Sequence, residues 1–210
     1  MTQSLFISCY IFIEVCLLGV YTNIVVYEFL TINSFSVKCG LLFDSLSVTM
    51  LFIIYIISTI VHIYSYEYML HDPFLNKFLA FLSLFTFFMV ILISSDNFIQ
   101  LFLGWEGVGL CSYLLINFWH TRILANKAAI KAMVMNRVAD VFFFIAICLL
   151  IINYNTVDFI VIFTFISSIY GYEFIATTNN YFIFIESLST ICFLLIVGAF
   201  GKSAQLGFHT

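Results

Sequence analysis

Charged residues are scarce in this sequence of 210 residues. Only 9% of the residues are charged, with 7 Lys and Arg against 11 Asp and Glu, whereas about 25% is usual for a soluble domain. So few charges cannot cover the surface of a soluble globular protein, and so few basic residues do not suit nucleic-acid binding. The scarcity therefore excludes soluble enzymes, nucleic-acid-binding proteins and disordered linkers.

Motifs for metals and cofactors are also lacking. The 6 cysteines form no C-x-x-C pair, and most lie in apolar stretches, where a thiol packs as a small hydrophobic group. The G-K-S triplet at 201–203 lacks the earlier glycine of a P-loop, because position 196 is isoleucine. The pair Gly107 and Gly109 lacks the third glycine of a dinucleotide loop. We therefore expect no metal site and no bound cofactor in this chain.

Apolar residues, by contrast, are abundant: 64% of the chain is hydrophobic and its mean hydropathy is +1.16. A helix that spans a bilayer needs about 20 mostly apolar residues. Runs of about this length predict an all-α, polytopic transmembrane helix bundle, formed as a single domain over residues 1–210, with helices at 5–21, 46–64, 78–93, 98–118, 133–152 and 181–200. The shorter apolar run 157–170 is predicted to be interfacial or re-entrant.

Basic residues in the loops predict the orientation of the helices. The segment 120–131 contains Arg and Lys residues but no acid, which predicts that it faces the inside. Its flanking connections contain acids instead, Asp96 and Asp158 among them. Alternation then places the segment 71–77 and both termini inside, and Lys38 outside.

Glu106 is the clearest functional candidate, because it lies near the middle of the run 98–118. A charge at the bilayer centre costs about 2.5–3.5 kcal/mol on insertion scales, so residues that accept this cost usually mark an ion pathway. Gly104, Gly107 and Gly109 surround it and would let a neighbouring helix or a file of water approach a carboxylate that exchanges a proton. The alternative is a carboxyl held neutral by a hydrogen bond between helices.

Lys202 is the second candidate. It follows Gly198 and Gly201 at the end of an apolar run, and polar residues come next. Small and polar residues at membrane depth predict that the last helix is discontinuous, broken near 198–202, with a backbone that lines a cavity or is covered by protein. A lysine there suits the loading and release of a proton. From position alone, a lysine that extends to the membrane surface is an equally good interpretation.

Three further charged residues lie on or near the fifth predicted helix. Arg137 and Asp140 are one turn apart and could pair with each other, and we interpret them as a buried functional network, because a lone surface pair would not need membrane depth. Lys131 lies on the border between an anchor on the inner side and an internal relay. The sequence leaves open the roles of Glu14 in the first run and of His62 near the end of the second.

Long sequence blocks carry a resemblance to a known family: LGWEGVGLCSYLLI at 103–116, KAAIKAMVMNRVAD at 127–140, GKSAQLGFHT at 201–210, FDSLS at 43–47 and HIYS at 62–65. They resemble chain five of NADH:ubiquinone oxidoreductase, the largest antiporter-like subunit of respiratory complex I, a family related to the multisubunit cation/proton antiporters. The resemblance runs from about residue 41 to the end and is weak over 153–181.

The resemblance implies roles for the residues that match the family's motifs. The glutamate of W-E-G-V-G, here Glu106, is paired in that family with the lysine of G-K-S-A-Q, here Lys202, and protonation of the lysine drives proton transfer. The family's R-x-x-D corresponds to Arg137 and Asp140, and its K-A-F/M lysine to Lys131. The resemblance also implies that NADH, FMN, iron–sulfur clusters and ubiquinone are bound by other subunits, with no redox centre here.

Location and partners follow from the same resemblance. It implies a core membrane-arm subunit of proton-translocating NADH:ubiquinone oxidoreductase in the mitochondrial inner membrane, encoded in the organelle because no presequence is recognisable. Family members start with one more helix and continue past G-K-S-A-Q-L, so we expect either a second polypeptide that carries the carboxyl-terminal part or a truncated product. Two alternatives stay open: a Na⁺/H⁺ antiporter subunit, and a structural remnant that does not pump.

Overall fold

The computed structural model describes residues 1–32, 35–172, 179–205 and 207. Most of them are helical, and two strands form one small sheet. In chain order the elements are α1 (Thr2–Phe12), a π-helical turn (Ile13–Leu17), β1 (Thr22–Ile32), β2 (Phe35–Phe43), α2 (Ser45–Tyr68), α3 (Leu75–Ile93), α4 (Phe98–Ile116), α5 (Ile123–Tyr154), α6 (Phe159–Tyr172) and α7 (Asn179–Lys202).

Among the described residues, four helices, α2 to α5, are long and apolar enough to cross a membrane. They correspond to the spans predicted at 46–64, 78–93, 98–118 and 133–152. Helix α5 begins at Ile123, well before its predicted start, because the alanine-rich segment around Lys127 favours a helix without being apolar enough to count as a span. The prediction of a polytopic helical membrane fold is therefore confirmed.

The first predicted span, 5–21, is shorter in the structure. Helix α1 and the π-helical turn together cover Thr2–Leu17, which falls short of the roughly 20 residues that a spanning helix needs. Glu14 lies within the π-helical turn. Gly19 then adopts a left-handed backbone with φ of 72°, a conformation that favours glycine and leads the chain out of the helix.

Residues 22–32 and 35–43 form an antiparallel hairpin that the sequence analysis did not predict. Strand β1 is rich in β-branched and aromatic residues (TNIVVYEFLTI), which favour a strand over a helix. Glu28 lies opposite Lys38, a pairing of opposite charges that stabilises the sheet. The all-α prediction is wrong for this segment, because an apolar run too short to span a membrane is still long enough to form a strand.

Side chains at the start of α4 fix the hairpin to the helices. The amide of Gln100 accepts from the Gly40 N–H at 3.1 Å and donates to the Gly40 carbonyl oxygen at 2.8 Å, so it continues the ladder of the sheet. Asn97, which is fully buried, donates from Nδ2 to the carbonyl oxygen of Lys38. The hairpin is therefore hydrogen-bonded to the helical part and not merely tethered to it.

Two aspartates lie close together at this junction. A backbone bridge joins Asn97 to Asp158, and the N–H of Phe159 donates to the carbonyl oxygen of Asp96 at 3.1 Å. Burial raises the pKa of Asp96, and the neighbouring charge of Asp158 raises it further. Burial also raises the pKa of Asp158, while Lys38 acts against the shift at both carboxyls.

The apolar run 157–170 forms α6, a helix of 14 residues. This length is below the roughly 20 residues needed to span a bilayer, and the interfacial placement of the run stays a prediction. Apolar side chains of α6 pack against α5 and α7 in a buried cluster formed by Ala146, Leu150, Ile162 and Ile191.

Helix α7 runs without a break through Gly198 and Gly201 and ends at Lys202. Ala204 then adopts a left-handed backbone with φ of 51°, and the Gln205 N–H donates to the carbonyl oxygen of Phe200 at 3.1 Å, which closes the helix end. The prediction that the last helix is discontinuous near 198–202 is therefore wrong, because the helix is continuous through both glycines and only ends at Lys202. Both glycines are helical because they serve close packing rather than a change of direction.

Candidate functional site

Glycines on α4 pack it closely against α3. A Cβ atom added to Gly104 would lie 2.6 Å from the backbone nitrogen of Leu92, and one added to Gly107 would lie 2.2 Å from the ring of Phe88. The close approach expected from these glycines is therefore made by α3. It occurs on the far side of α4, since the carboxylate of Glu106 is directed toward α5.

Glu106 forms an ion pair with Arg137 across the interface between α4 and α5. Arg137 Nη1 donates to Glu106 Oε1 at 2.8 Å, and within the described residues this is the one ion pair. The side chain of Glu106 is 23% exposed and that of Arg137 is 51% exposed. The pairing offsets part of the cost of placing both charges at membrane depth. The partner that the resemblance implied, Lys202, does not occupy this position.

Asp140 lies on α5, is only 9% exposed and accepts a hydrogen bond from Trp105 Nε1 at 2.9 Å. Its carboxyl also interacts electrostatically with that of Glu106. The pairing of Arg137 with Asp140 that their spacing allows is not formed, because Arg137 binds Glu106 instead. The long arginine side chain reaches across to α4, whereas the short aspartate faces the indole, so two residues one turn apart bind different partners.

Lys202 reaches the same place from the end of α7. A Cβ atom added to Gly201 would lie 2.2 Å from the Cβ of Ala139, so the missing side chain lets α7 lie directly against α5. Lys202 Nζ donates to the backbone carbonyl oxygen of Trp105 and lies 4.3 Å from the centroid of the Trp105 ring. Both nearby carboxylates, those of Asp140 and Glu106, act electrostatically on its ammonium group.

Four of the predicted site residues are therefore brought together by three helices, and Lys131 is not one of them. Lys131 precedes Arg137 by six residues, about 9 Å along α5, and it is exposed on a different face of the helix. It lies nearer the basic end of α5, with Lys127. Its role as a relay stays a prediction.

A small cavity lies between α4 and α5 beside the Glu106 carboxylate. Its volume is about 10 Å³, close to what a single water molecule requires. It is lined by Glu106, Gly109, Leu110, Met133, Asn136, Arg137 and Asp140. Asn136 was not a candidate from the sequence, because a neutral amide carries no cost large enough to stand out. A water molecule in this cavity would lie beside both carboxyl groups.

Trp105 is the main site residue that sequence reasoning missed. Its backbone carbonyl oxygen and its ring both contact Lys202, while its Nε1 binds Asp140. Its ring also stacks on Phe143, with the centroids 5.3 Å apart. The available signal was an indole N–H at membrane depth directly before Glu106, since such a donor needs an acceptor from within the protein.

The two residues whose roles the sequence left open lie away from these four. Glu14 belongs to the first helical segment, and His62 belongs to α2, where its Nδ1 lies 2.7 Å from the carbonyl oxygen of Ser58. The segments that carry them pack against each other, and α2 also packs against α3. The cluster itself is built by α4, α5 and α7.

Comparison with known proteins supports the resemblance seen in the sequence blocks. Residues 95–210 match the family described as NADH:quinone oxidoreductase/Mrp antiporter, TM. Residues 29–79 match the family described as NADH-ubiquinone oxidoreductase (complex I), chain 5 N-terminus. The match therefore begins before residue 41 and includes part of the hairpin.

Curated relatives that bear the name NADH-ubiquinone oxidoreductase chain 5 are similar over nearly the whole chain. The relative from Phytophthora infestans is 46% identical over 99% of this chain and 31% of its own length. Those from Marchantia polymorpha and Arabidopsis thaliana are 48% and 46% identical, over 97% and 99% of this chain and 30% of their own lengths. The chain thus spans about 30% of the length of these relatives. It belongs to the NADH:quinone oxidoreductase/Mrp antiporter family.

Proposed function

We propose that this chain forms the amino-terminal part of the proton-translocating membrane-arm subunit of NADH:ubiquinone oxidoreductase in the mitochondrial inner membrane. The observation that carries this proposal is the convergence of Glu106, Arg137, Asp140 and Lys202 from three helices at membrane depth. Relatives that share nearly the whole chain bear the name of chain 5 of that enzyme. The role is not a redox one, because NADH, flavin, iron–sulfur clusters and ubiquinone are bound by other subunits.

Lys202 carries the transferred proton in this proposal. The carboxylates of Glu106 and Asp140 attract its ammonium group, so a change in how they are paired alters how firmly Lys202 holds its proton. Redox energy released elsewhere in the enzyme shifts the Glu106–Arg137 pair. Lys202 then releases its proton on one side and takes another from the other side, with the small cavity beside Glu106 as one step of the path.

The partners in this proposal are the other membrane-arm subunits of the enzyme. The Arg137 side chain is half-exposed although it lies at membrane depth. A guanidinium group there needs protein or water around it, so lipid is not a suitable neighbour.

The test is Glu106→Gln, which keeps the shape of the side chain and removes its charge. In inner-membrane vesicles supplied with NADH, we expect the number of protons moved per NADH oxidised to fall on the order of tenfold, the ratio that about 1.4 kcal/mol produces. Lys127→Gln is the matched control, because it removes an exposed charge from the same helix pair without touching the cluster. Undiminished pumping by E106Q would refute the proposed role and favour a structural remnant.

A cation/proton antiporter subunit is the second candidate, because the matching family also includes the Mrp antiporters. The same vesicles separate the two functions. Proton movement that starts on addition of NADH supports the respiratory enzyme, whereas proton movement that follows a Na⁺ gradient in the absence of NADH supports the antiporter.

A further inference from the structure

Trp105 joins the cation of the cluster to one of its acids. Its backbone carbonyl oxygen accepts a hydrogen bond from Lys202 Nζ, and the same ammonium group lies 4.3 Å from the centroid of its ring. At the other end of the indole, Nε1 donates to Asp140 Oδ1 at 2.9 Å. One side chain therefore contacts both Lys202 and Asp140, although these two residues lie on different helices.

The partners of the two acids keep Lys202 apart from Glu106. The Glu106 carboxylate is bound by Arg137 at 2.8 Å. In the part of the chain that the structure describes, Lys202 forms an ion pair with neither Glu106 nor Asp140. The position of the lysine is thus determined by Trp105, and a direct pairing with Glu106 requires it to leave that residue.

The chemistry of the indole explains why a tryptophan suits this position. Its ring face is electronegative and attracts an ammonium group but not a neutral amine, and tryptophan provides the strongest such face among the side chains. Its N–H group is a donor only, so it binds Asp140 best while that residue is a carboxylate. The ring therefore responds to the charge of Lys202 on its face and to the charge of Asp140 at its edge.

We propose that Trp105 is a positioning residue that holds protonated Lys202 away from Glu106 and, through its hydrogen bond to Asp140, makes that position depend on the charge of Asp140. Lys202 then has two positions, one on Trp105 and one at Glu106 after Arg137 has released that carboxylate. The inference rests on the proposed proton-translocating function and adds the contact that separates the two positions.

Two substitutions remove different side-chain contacts of Trp105. Trp105→Phe keeps an aromatic face beneath Lys202 but removes the N–H donor, and Trp105→Leu removes both. In the assembled enzyme we expect W105F to lower the number of protons moved per NADH oxidised on the order of tenfold, the ratio that corresponds to one hydrogen bond to a charged group, and W105L to lower it further. Trp119→Phe is the matched control, because Trp119 also carries a cation on its ring, Arg122 at 5.0 Å, but lies outside the cluster.

A double substitution separates positioning from a general packing effect. Asp140→Ala removes the acceptor of the indole N–H, so adding W105F to it should cause no further loss of pumping. A loss that multiplies independently in the two backgrounds would overturn the inference. Where a variant no longer pumps, cryo-electron microscopy of the assembled W105L enzyme decides instead: a Lys202 side chain displaced from residue 105 toward Glu106 supports the inference, and Lys202 unmoved overturns it.

The outcome for E106Q keeps this inference distinct from the function on which it rests. If E106Q pumps normally, the proposed function fails. If E106Q is impaired while the effects of W105F and D140A are independent, the function stands and the role of Trp105 fails.

Discussion

The contact between Gly201 and Ala139 provides a way to displace Lys202 without changing any titratable group. In Gly201→Ala, the new Cβ would lie 2.2 Å from the Cβ of Ala139, which is fully buried and has no space to retreat. Ordinary contact begins at 3.4 Å, so α7 must move away from α5 by about 1.2 Å. Overpacking of this kind costs about 1–3 kcal/mol.

The displacement matters because Lys202 is the next residue. A shift of about 1.2 Å stretches the hydrogen bond from Lys202 Nζ to the Trp105 carbonyl oxygen to the limit of its range, and misplacement of this size can lower a rate by about 10²-fold. We therefore expect G201A to assemble but to pump at least about tenfold fewer protons per NADH oxidised. Proton uptake and NADH oxidation are measured together in vesicles, and assembly is followed on native gels.

Two substitutions at neighbouring positions of α7 serve as comparisons for G201A. Gly198→Ala brings the new Cβ within 3.2 Å of the Cβ of Phe143, a milder conflict, so it should have a smaller effect. Ala199→Val adds more volume on an exposed face of the same turn and should pump normally. Normal pumping by G201A, with α7 still in place against α5, would refute the argument that close packing positions the lysine.

Two further predictions concern the junction between the hairpin and the helices. Asn97→Ala leaves the buried carbonyl oxygen of Lys38 and the N–H of Gln100 without their partner, at a cost of about 1–3 kcal/mol for each buried group. Protease cleavage within the hairpin of the assembled enzyme should therefore become faster. An unchanged cleavage rate contradicts this prediction. Because the folded-state pKa values of Asp96 and Asp158 are raised above the ordinary 3.8, their contribution to stability is complete below 3.8 and is lost as pH rises through the raised values. Amide hydrogen exchange of β2, corrected for its intrinsic pH dependence, should therefore become faster over that range, and Asp96→Asn should flatten the change, whereas slower exchange at higher pH contradicts it.

Hydropathy and the cost of intramembrane charge predicted much of this structure. The spanning helices follow from apolar length alone. Glu106, Arg137 and Asp140 stand out because a charge within such a run needs a reason, and the four residues at the centre of the site do converge. The cost of a charge within an apolar run is large and depends on that residue alone, so it can be recognised from the sequence one residue at a time.

The features that were missed depend on partners far apart in the chain. The hairpin is held by Asn97 and Gln100, which lie about 60 residues beyond the strand they bind. Arg137 binds Glu106 and Asp140 binds Trp105, and this difference depends on the lengths of their side chains and on which residue of α4 lies opposite each. Trp105 is uncharged, so its role becomes visible only when Lys202 and Asp140 are seen at its two ends.

The length of α5 has an electrical consequence. Its 32 residues extend about 48 Å, well beyond a hydrocarbon core of about 30 Å, and both lysines of the helix precede Met133. If the core begins at Met133 and the segment 120–131 faces the inside, as its charges predict, Asp140 lies about 10 Å below the inner boundary, roughly a third of the way across. Moving one charge across 100 mV takes about 2.3 kcal/mol. About 0.8 kcal/mol of this work has been spent when a proton has moved from the inside to this depth. The larger share, about 1.5 kcal/mol, belongs to the step that leads from the cluster to the outer side.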